Sequence, residues 1–383
     1  PDSARTRLGV KNNQQRFARD AYILTVLLAC RQEEGAVTLI TGKTTARQDP
    51  IKPSRLFFLC DDEELPSRAA HLFQEPLQPA APLGTETKWR FKIPPPRVPE
   101  SLSVTALSSF LQCPFRFYLS EILGMESLDD RKQELDARDF GSLVHRVVQK
   151  LRDYQESTDG ATIAAGLSEV LDQEVAASYG RKLPAPISIQ VESARQRLRA
   201  AAYKHADLNE AGWRTIETES TIRSEMEGMQ VVARIDRIDE HPDGRIRILD
   251  YKTSEKAKQP DKVQWGPARE DVPEYARITV GNRERQWADL QLPLYAYLLQ
   301  EKFPNRHLEC GYFNLPKAVT DTDITLWEKH NEWGYVEAAV MCAKNVIQDV
   351  QAGRFWPPAP RPRYDDFEKL FLDKVEEGFE FEN

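Results

Sequence analysis

Long apolar runs are missing from this chain of 383 residues, and no stretch approaches the roughly 18 apolar residues of a membrane-spanning helix. The opening residues, "PDSARTRLGVKNNQQRFARD", lack the apolar segment of a secretory signal. An initial Met is missing too, so the chain is expected to be either trimmed or part of a longer polypeptide. Cysteines are scarce and scattered: Cys30, Cys60, Cys113, Cys310 and Cys342 include no C-x-x-C pair. That excludes a disulfide framework and reads as a reducing, cytoplasmic compartment. Positive net charge is also absent, the balance being −8 with a pI near 5.5. A nucleic-acid binder is often basic, so any such role must reside in a local groove. The short basic clusters at 88–92, 195–205 and 361–363 read first as solvated faces.

What is present falls into two parts. Proline-rich stretches at 75–84 and 92–101 read as linker or extended strap, giving expected boundaries of 1–85, a linker 86–101, and 102–383. The first part holds a helix-like run at 20–32 and a strand-like one at 36–45. That is too little for a self-sufficient domain. Its "TGKTT" lacks the upstream glycine of a phosphate loop. In the second part, 103–123 reads as helix broken at Pro114, which suits the first turn of a new helix. An amphipathic stripe of Phe140, Leu143, Val144, Val147, Val148, Leu151 and Tyr154 predicts a helix over 140–154. Helical sequence continues to about 212, followed by strands at 214–224, 229–239 and 245–253. After a polar stretch (254–285) come a helix at 286–302, a strand at 307–315 and a helix at 333–353 ending at Gly353. This order predicts an α/β or α+β core, a mixed sheet flanked by helices.

One hairpin, "ARIDRIDEHPDGRIRILDYKTS", carries carboxylates and a lysine within its most apolar strands. Acidic residues are poor strand formers and are rarely buried unpaired. Pro242-Asp243-Gly244 suits a three-residue loop with Gly244 left-handed, which pairs His241 with Arg245 and makes paired numbers sum to 486. Asp236 then faces Asp250, with Lys252 two residues further on the same face. Two opposed carboxylates are destabilising unless a positive group sits between them, and a divalent cation with oxygen ligands answers that need. The plainer alternative is a half-exposed hairpin in which Arg234, Arg237 and Lys252 form salt bridges. A two- or four-residue loop would put the aspartates on opposite faces.

"ARIDRID" followed by "ILDYKTS", with "GSLVH" upstream and "QLPLYAYLL" downstream, resembles the PD-(D/E)XK nuclease superfamily. The nearest resemblance is to the RecB-like exonuclease domain of AddB-type helicase–nuclease subunits, and "LSVTALSSFLQCPFRFYL" matches as well. The resemblance covers roughly residues 100–383 and implies a restriction-endonuclease-like core. Residues 1–85 look like the remnant of a degenerate helicase-like domain. It further implies Mg²⁺ or Mn²⁺ held by His145, Asp236, Asp250 and the backbone carbonyl of Tyr251, with Lys252 acting on water or phosphate. Gln291 and Tyr295, spaced i, i+4, match the Q-x-x-x-Y motif that orients active-site groups. Gly141 would allow close approach of its helix to the sheet. Glu219 matches only loosely a glutamate that related nucleases carry upstream.

Many AddB-type domains hold an iron–sulfur cluster with one cysteine from "CPF" and three near the C-terminus. Here Cys113 matches the first, but 353–371 has no cysteine, so no cluster is expected. Cys113 is then a buried apolar residue, and Phe355, Trp356, Tyr364 and Phe367 pin the tail by packing. The function implied is a metal-dependent DNA (exo)nuclease of a repair or recombination system, acting on single strands or ends with a helicase partner and no membrane. The competing readings are a catalytically silent DNA-binding scaffold, and a hydrolase of other phosphodiesters.

Overall fold

The computed structural model describes residues 2–30, 35, 37, 39, 44, 49–73, 91–92, 97–126, 133–180, 182–270, 272–328, 334–359, 367 and 379–380. The proline-rich stretch 75–84, most of the expected strand at 36–45, and Tyr364 lie outside them. The chain divides into two compact units, Pro1–Thr87 and Lys88–Asn383. In the first, a capping box of Asn12 with Gln15 starts a helix at Asn13–Ala29, earlier than the apolar run alone suggests. None of its residues is buried, and Tyr22, Ile23 and Leu27 are exposed. Among the described residues this unit builds no core of its own.

The second unit contains β1 (Ser101–Ser103) and α1 (Val104–Gln112), then α2 (Ala137–Val148), α3 (Gly160–Tyr179) and α4 (Ala185–Glu210). Three long strands follow: β2 (Arg214–Met226), β3 (Met229–Glu240) and β4 (Ile246–Lys252). After these come β5 (Trp265–Pro267), β6 (Arg277–Val280), β7 (Arg283–Trp287) and α5 (Gln291–Lys302). Next are β8 (Leu308–Asn314), β9 (Asp323–Leu326) and α6 (Tyr335–Gln351).

The main sheet runs β9-β8-β4-β3-β1, with β2 also paired to β3. It is mixed: β4 and β8 are parallel, as are β1 and β3, while β2, β3 and β4 alternate and β9 opposes β8. Side chains of a strand alternate between faces, and the sheet uses both. Ile246, Ile248, Cys310 and Tyr312 enter a core shared with α1, α5 and α6. Leu249, Tyr251, Phe313 and Leu315 enter a second core shared with α2, α3 and α4. The result is a mixed sheet flanked by helices on both faces, as the order of elements predicts.

Local chemistry explains the element ends. Asp136 caps α2 by accepting from the Asp139 N–H at 2.8 Å, and the expected stripe buries Leu143, Val144, Val147 and Val148. Pro114 begins a new helix after Cys113 takes an extended conformation, so the expected break holds. Cys113 is buried, and its thiol accepts from the Ala359 N–H at 3.3 Å. Phe355 stacks on Tyr118 with centroids 5.0 Å apart, while Trp356 meets Phe115 edge-on at 5.5 Å. Phe367 is buried too.

Two expectations need correction. The polar stretch 254–285 holds strands of a separate three-stranded sheet, ordered β5-β7-β6. The helix expected at 286–302 starts only at Gln291, because Arg283–Trp287 pairs as β7. Strands of three to five residues carry too few alternations to register as a period. The sheet is anchored by Trp265 against Trp287 and Trp327, each at a centroid distance of 5.9 Å.

Candidate active site and metal centre

The turn at Pro242-Asp243-Gly244 sets the register of β3 against β4. Gly244 takes φ +98°, the Asp243 carboxylate accepts from the Arg245 N–H at 3.0 Å, and the His241 N–H donates to the Arg245 carbonyl at 3.0 Å. Arg237 then pairs with Leu249, Ile238 with Ile248, Asp239 with Arg247 and Glu240 with Ile246, the register in which numbers sum to 486. The ladder stops one pair short of the aspartates. By alternation, Ile235 and Tyr251 would exchange the next backbone bonds. The Tyr251 N–H instead donates to Asp236 Oδ2 at 2.8 Å. So β4 parts from β3 at Asp236, and the parting opens a crevice. The strand's own alternation slips here as well: Ile235 and Ile238, three apart, enter the same core.

Helix α5 approaches the crevice with its first turn. Gln291 donates through Nε2 to Asp250 Oδ1 and to the Tyr295 hydroxyl (3.0 Å), and its Oε1 accepts from Lys252 Nζ at 3.1 Å. Tyr295 in turn donates to the Arg234 carbonyl at 2.6 Å, supplying a partner on the stretch of β3 that β4 has left. Lys252 Nζ lies 2.7 Å from Asp250 Oδ2. Helix α2 reaches the same place with His145, whose Nε2 is 3.1 Å from the Tyr251 carbonyl and whose Nδ1 is 3.6 Å from Asp236 Oδ2. Gly141, one turn earlier, faces Thr253: an added Cβ would come within 3.2 Å of its hydroxyl.

The structure therefore brings together all seven sequence-predicted site residues, but in two groups. His145, Glu219 and Asp236 offer donor atoms that all lie within 4.8 Å of one another. The Asp250 oxygens are instead engaged by Lys252 and Gln291. Glu219, left open by its loose match, is the third member of the first group. It also forms an ion pair with Arg234 at 2.6 Å.

Burial raises the Asp236 carboxyl well above the usual carboxylate range, and the neighbouring Asp250 charge raises it further. Burial alone would lower the Lys252 ammonium, but Asp250, Asp289 and Asp236 outweigh it, and Lys252 remains a cation at neutral pH. Asp289 was missed in the sequence. Its Oδ1 accepts from the Gln291 N–H at 2.7 Å and from the Ser108 hydroxyl at 3.3 Å, so it ties the start of α5 to α1. An aspartate two residues before a helical Gln is the local signal that could have found it.

The plainer salt-bridge reading is true in part. Arg237 pairs with Asp239 at 2.7 Å and approaches His205 Nδ1 at 3.1 Å, but all three are buried rather than half-exposed. A partly buried group of carboxylates with an imidazole and a backbone carbonyl fits a hard divalent cation.

A mixed sheet flanked by helices, with acids and a lysine where two central strands part, is consistent with a restriction-endonuclease-like fold. The chain belongs to the PD-(D/E)XK nuclease superfamily, whose sequence model matches residues 101–377. It is similar to one of the subunits of the ATP-dependent helicase/deoxyribonuclease of Streptococcus equi subsp. zooepidemicus (strain H70), 31% identical over 209 residues. That alignment covers 51% of this chain and 17% of the relative. The corresponding helicase/deoxyribonuclease polypeptide of Moorella thermoacetica is 26% identical over 209 residues, covering 48% of this chain and 18% of the relative. An uncharacterized protein of Rickettsia conorii is 27% identical over 178 residues, covering 41% and 20%. The matched segment thus spans a fifth or less of these relatives. Among the described residues no helix is long and apolar enough to cross a membrane.

Proposed function

We propose that this chain is a Mg²⁺- or Mn²⁺-dependent deoxyribonuclease, acting as an exonuclease on single-stranded or end-processed DNA within a helicase–nuclease repair system. One observation carries the reading: at the crevice the donor atoms of His145, Glu219 and Asp236 lie within 4.8 Å of one another, next to Asp250 held by Lys252 and Gln291. The helicase partner is supported by the helicase/deoxyribonuclease relatives in Streptococcus and Moorella.

His145, Asp236, Asp250 and the Tyr251 carbonyl, with Glu219 beside them, are the residues that would hold the cation. Such a cation supplies Lewis acidity and neutralises charge developing on the phosphate. The protein's own groups divide the remaining work. Lys252 is kept protonated by its carboxylate neighbours, so its role is to stabilise the negative phosphate rather than to accept a proton. Gln291 fixes both Lys252 and Asp250 through opposite ends of one amide. Tyr295 holds that amide from behind.

The test is hydrolysis of labelled single- and double-stranded DNA with Mg²⁺ or Mn²⁺, comparing wild type with Asp250→Ala and Lys252→Ala. Each substitution is expected to lower the rate by about 10²-fold or more. Activity that survives both would refute the site. A wild type that binds DNA and never cuts it would favour the silent scaffold.

A further inference from the structure

A second feature adjoins the crevice. Beyond Lys252, where β4 and β8 end, lies a cleft of about 620 Å³, walled by the start of α2 and by α4. Its volume lies within the range that ligand sites occupy. Four cationic side chains line it (Arg197, Lys252, Lys258 and Lys317) against two acidic ones, Asp136 and Glu255. The chain as a whole has the opposite balance, −8. This is the kind of local groove that an acidic nucleic-acid enzyme requires.

Arg197 is the informative member. It is only 7% exposed, and its Nη1 donates to the carbonyls of Thr253 (2.6 Å) and Leu315 (3.2 Å), at the ends of the two central strands. Its Nε is buried without a hydrogen-bond partner. Among the described residues no carboxylate lies within ion-pair distance of it. Burial disfavours this charge, and the exposed Glu255 on the same cleft offsets that only in part, so the balance favours a further anion arriving from outside. Lys258 and Lys317 stand on the same cleft, and neither forms an ion pair among the described residues. Both have their backbones fixed: the Lys258 N–H donates to Asn314 Oδ1 at 2.7 Å and the Lys317 N–H to the Glu255 carbonyl at 3.1 Å.

The other wall is apolar. The Arg197 guanidinium lies 4.7 Å from the centroid of the half-buried Phe140 ring, and Ile189 across the cleft is 71% exposed. Cations that track a backbone, beside an aromatic face that can meet a base, are the two elements of single-strand recognition.

We infer that this cleft holds the nucleotide next to the scissile phosphate in an extended single strand. Its backbone phosphate would meet Arg197, Lys258 and Lys317, and its base would pack on Phe140 and Ile189. The inference rests on the nuclease reading above and adds to it a residue-level account of single-strand preference.

The experiment is fluorescence anisotropy of a labelled oligo-dT and of a hairpin duplex across a salt series in EDTA, using the full chain. Lys258→Ala/Lys317→Ala alters surface side chains and leaves every proposed cation ligand in place. It is expected to reduce the slope of log K against log salt by about 0.7 for the single strand, the contact to one phosphate being lost. Phe140→Leu keeps an apolar side chain in the wall. It is expected to weaken single-strand binding about fivefold or more, with the salt slope unchanged. An unchanged slope in the double variant, with wild type still binding and cutting DNA, overturns the cleft and spares the nuclease. Equal losses for duplex and single strand overturn the single-strand assignment. A wild type that neither binds nor cuts DNA removes both readings.

Discussion

Glu219 of β2 stands opposite Asp236 of β3, at a position where the ladder between these strands is interrupted: Thr218 pairs with Arg237 and Ser220 with Ile235, but the pair between them is not formed. Glu219 there takes φ +53°, a left-handed backbone that costs a non-glycine residue about 1–3 kcal/mol. Strain and an acidic neighbour meet at one residue. The ion pair with Arg234 at 2.6 Å holds the carboxylate there.

Replacing it should separate the two effects. Glu219→Gly relieves the backbone and removes one negative charge, so the metal-free variant is expected to melt a few degrees above wild type. The rise in Tm on adding Mn²⁺ is expected to shrink at the same time. Calorimetry with and without Mn²⁺ checks both. A variant less stable than wild type, with an undiminished Mn²⁺ shift, contradicts the assignment.

The Asp236 carboxyl gives a pH dependence with a definite sign. Its native pKa is raised, by burial first and then by Asp250. Between the ordinary aspartate value and that raised one, the native state holds more protons than the unfolded state, so metal-free stability falls as pH rises. A cation must displace this proton. The Mn²⁺-induced rise in Tm is therefore expected to grow from about pH 5 to about pH 8, and to lose that growth in Asp236→Asn. A shift that does not vary with pH would count against the cluster.

His205 gives the opposite sign. Burial first, and Arg237 second, lower its pKa from 6.5 to about 3. Its neutral form then stabilises the fold above pH 6.5, and this contribution is lost as pH falls toward 3. Relative to His205→Gln, wild type is expected to lose about 2 kcal/mol by about pH 5. Urea titrations of both proteins at neutral and acid pH test this. Parallel pH profiles would place the acid sensitivity elsewhere.

Tyr295→Phe removes the donor to the Arg234 carbonyl and the acceptor for Gln291. The expected cost is about 1–2 kcal/mol in stability, from polar groups left without partners. A fall in hydrolysis rate is expected as well, because Gln291 loses its backing. Loss of stability with full activity would make Tyr295 a packing residue only.

Much of this was legible in the sequence where local chemistry dictates geometry. Pro242-Asp243-Gly244 fixed the register that brings Asp236 toward Asp250, and the i, i+4 spacing of Gln291 and Tyr295 placed both on one face of α5. The Glu219 position could have been read by the same counting. Glu227-Gly228 is a two-residue turn with φ +50° and +73°, and continuing its pairing from Met226/Met229 sets Glu219 opposite Asp236. What no pattern gave was the slip at Asp236, where Ile235 and Ile238 share a core and the β3–β4 ladder ends. That irregularity comes from tertiary contacts: His145 and Tyr295 take backbone groups that a regular ladder would have used. The small sheet of β5, β6 and β7 was hidden for a different reason, since its tryptophans pack across 265–327 and not along any one strand.

The central claim is that this crevice holds a catalytic cation, and anomalous diffraction from crystals soaked in Mn²⁺ tests it most directly. The account predicts a peak within about 2.0–2.6 Å of an Asp236 oxygen and of the His145 imidazole, with Asp250 turned from Lys252 toward it or Glu219 completing the set. A soaked crystal of protein that digests DNA, but with no peak at Asp236 and His145, would contradict it.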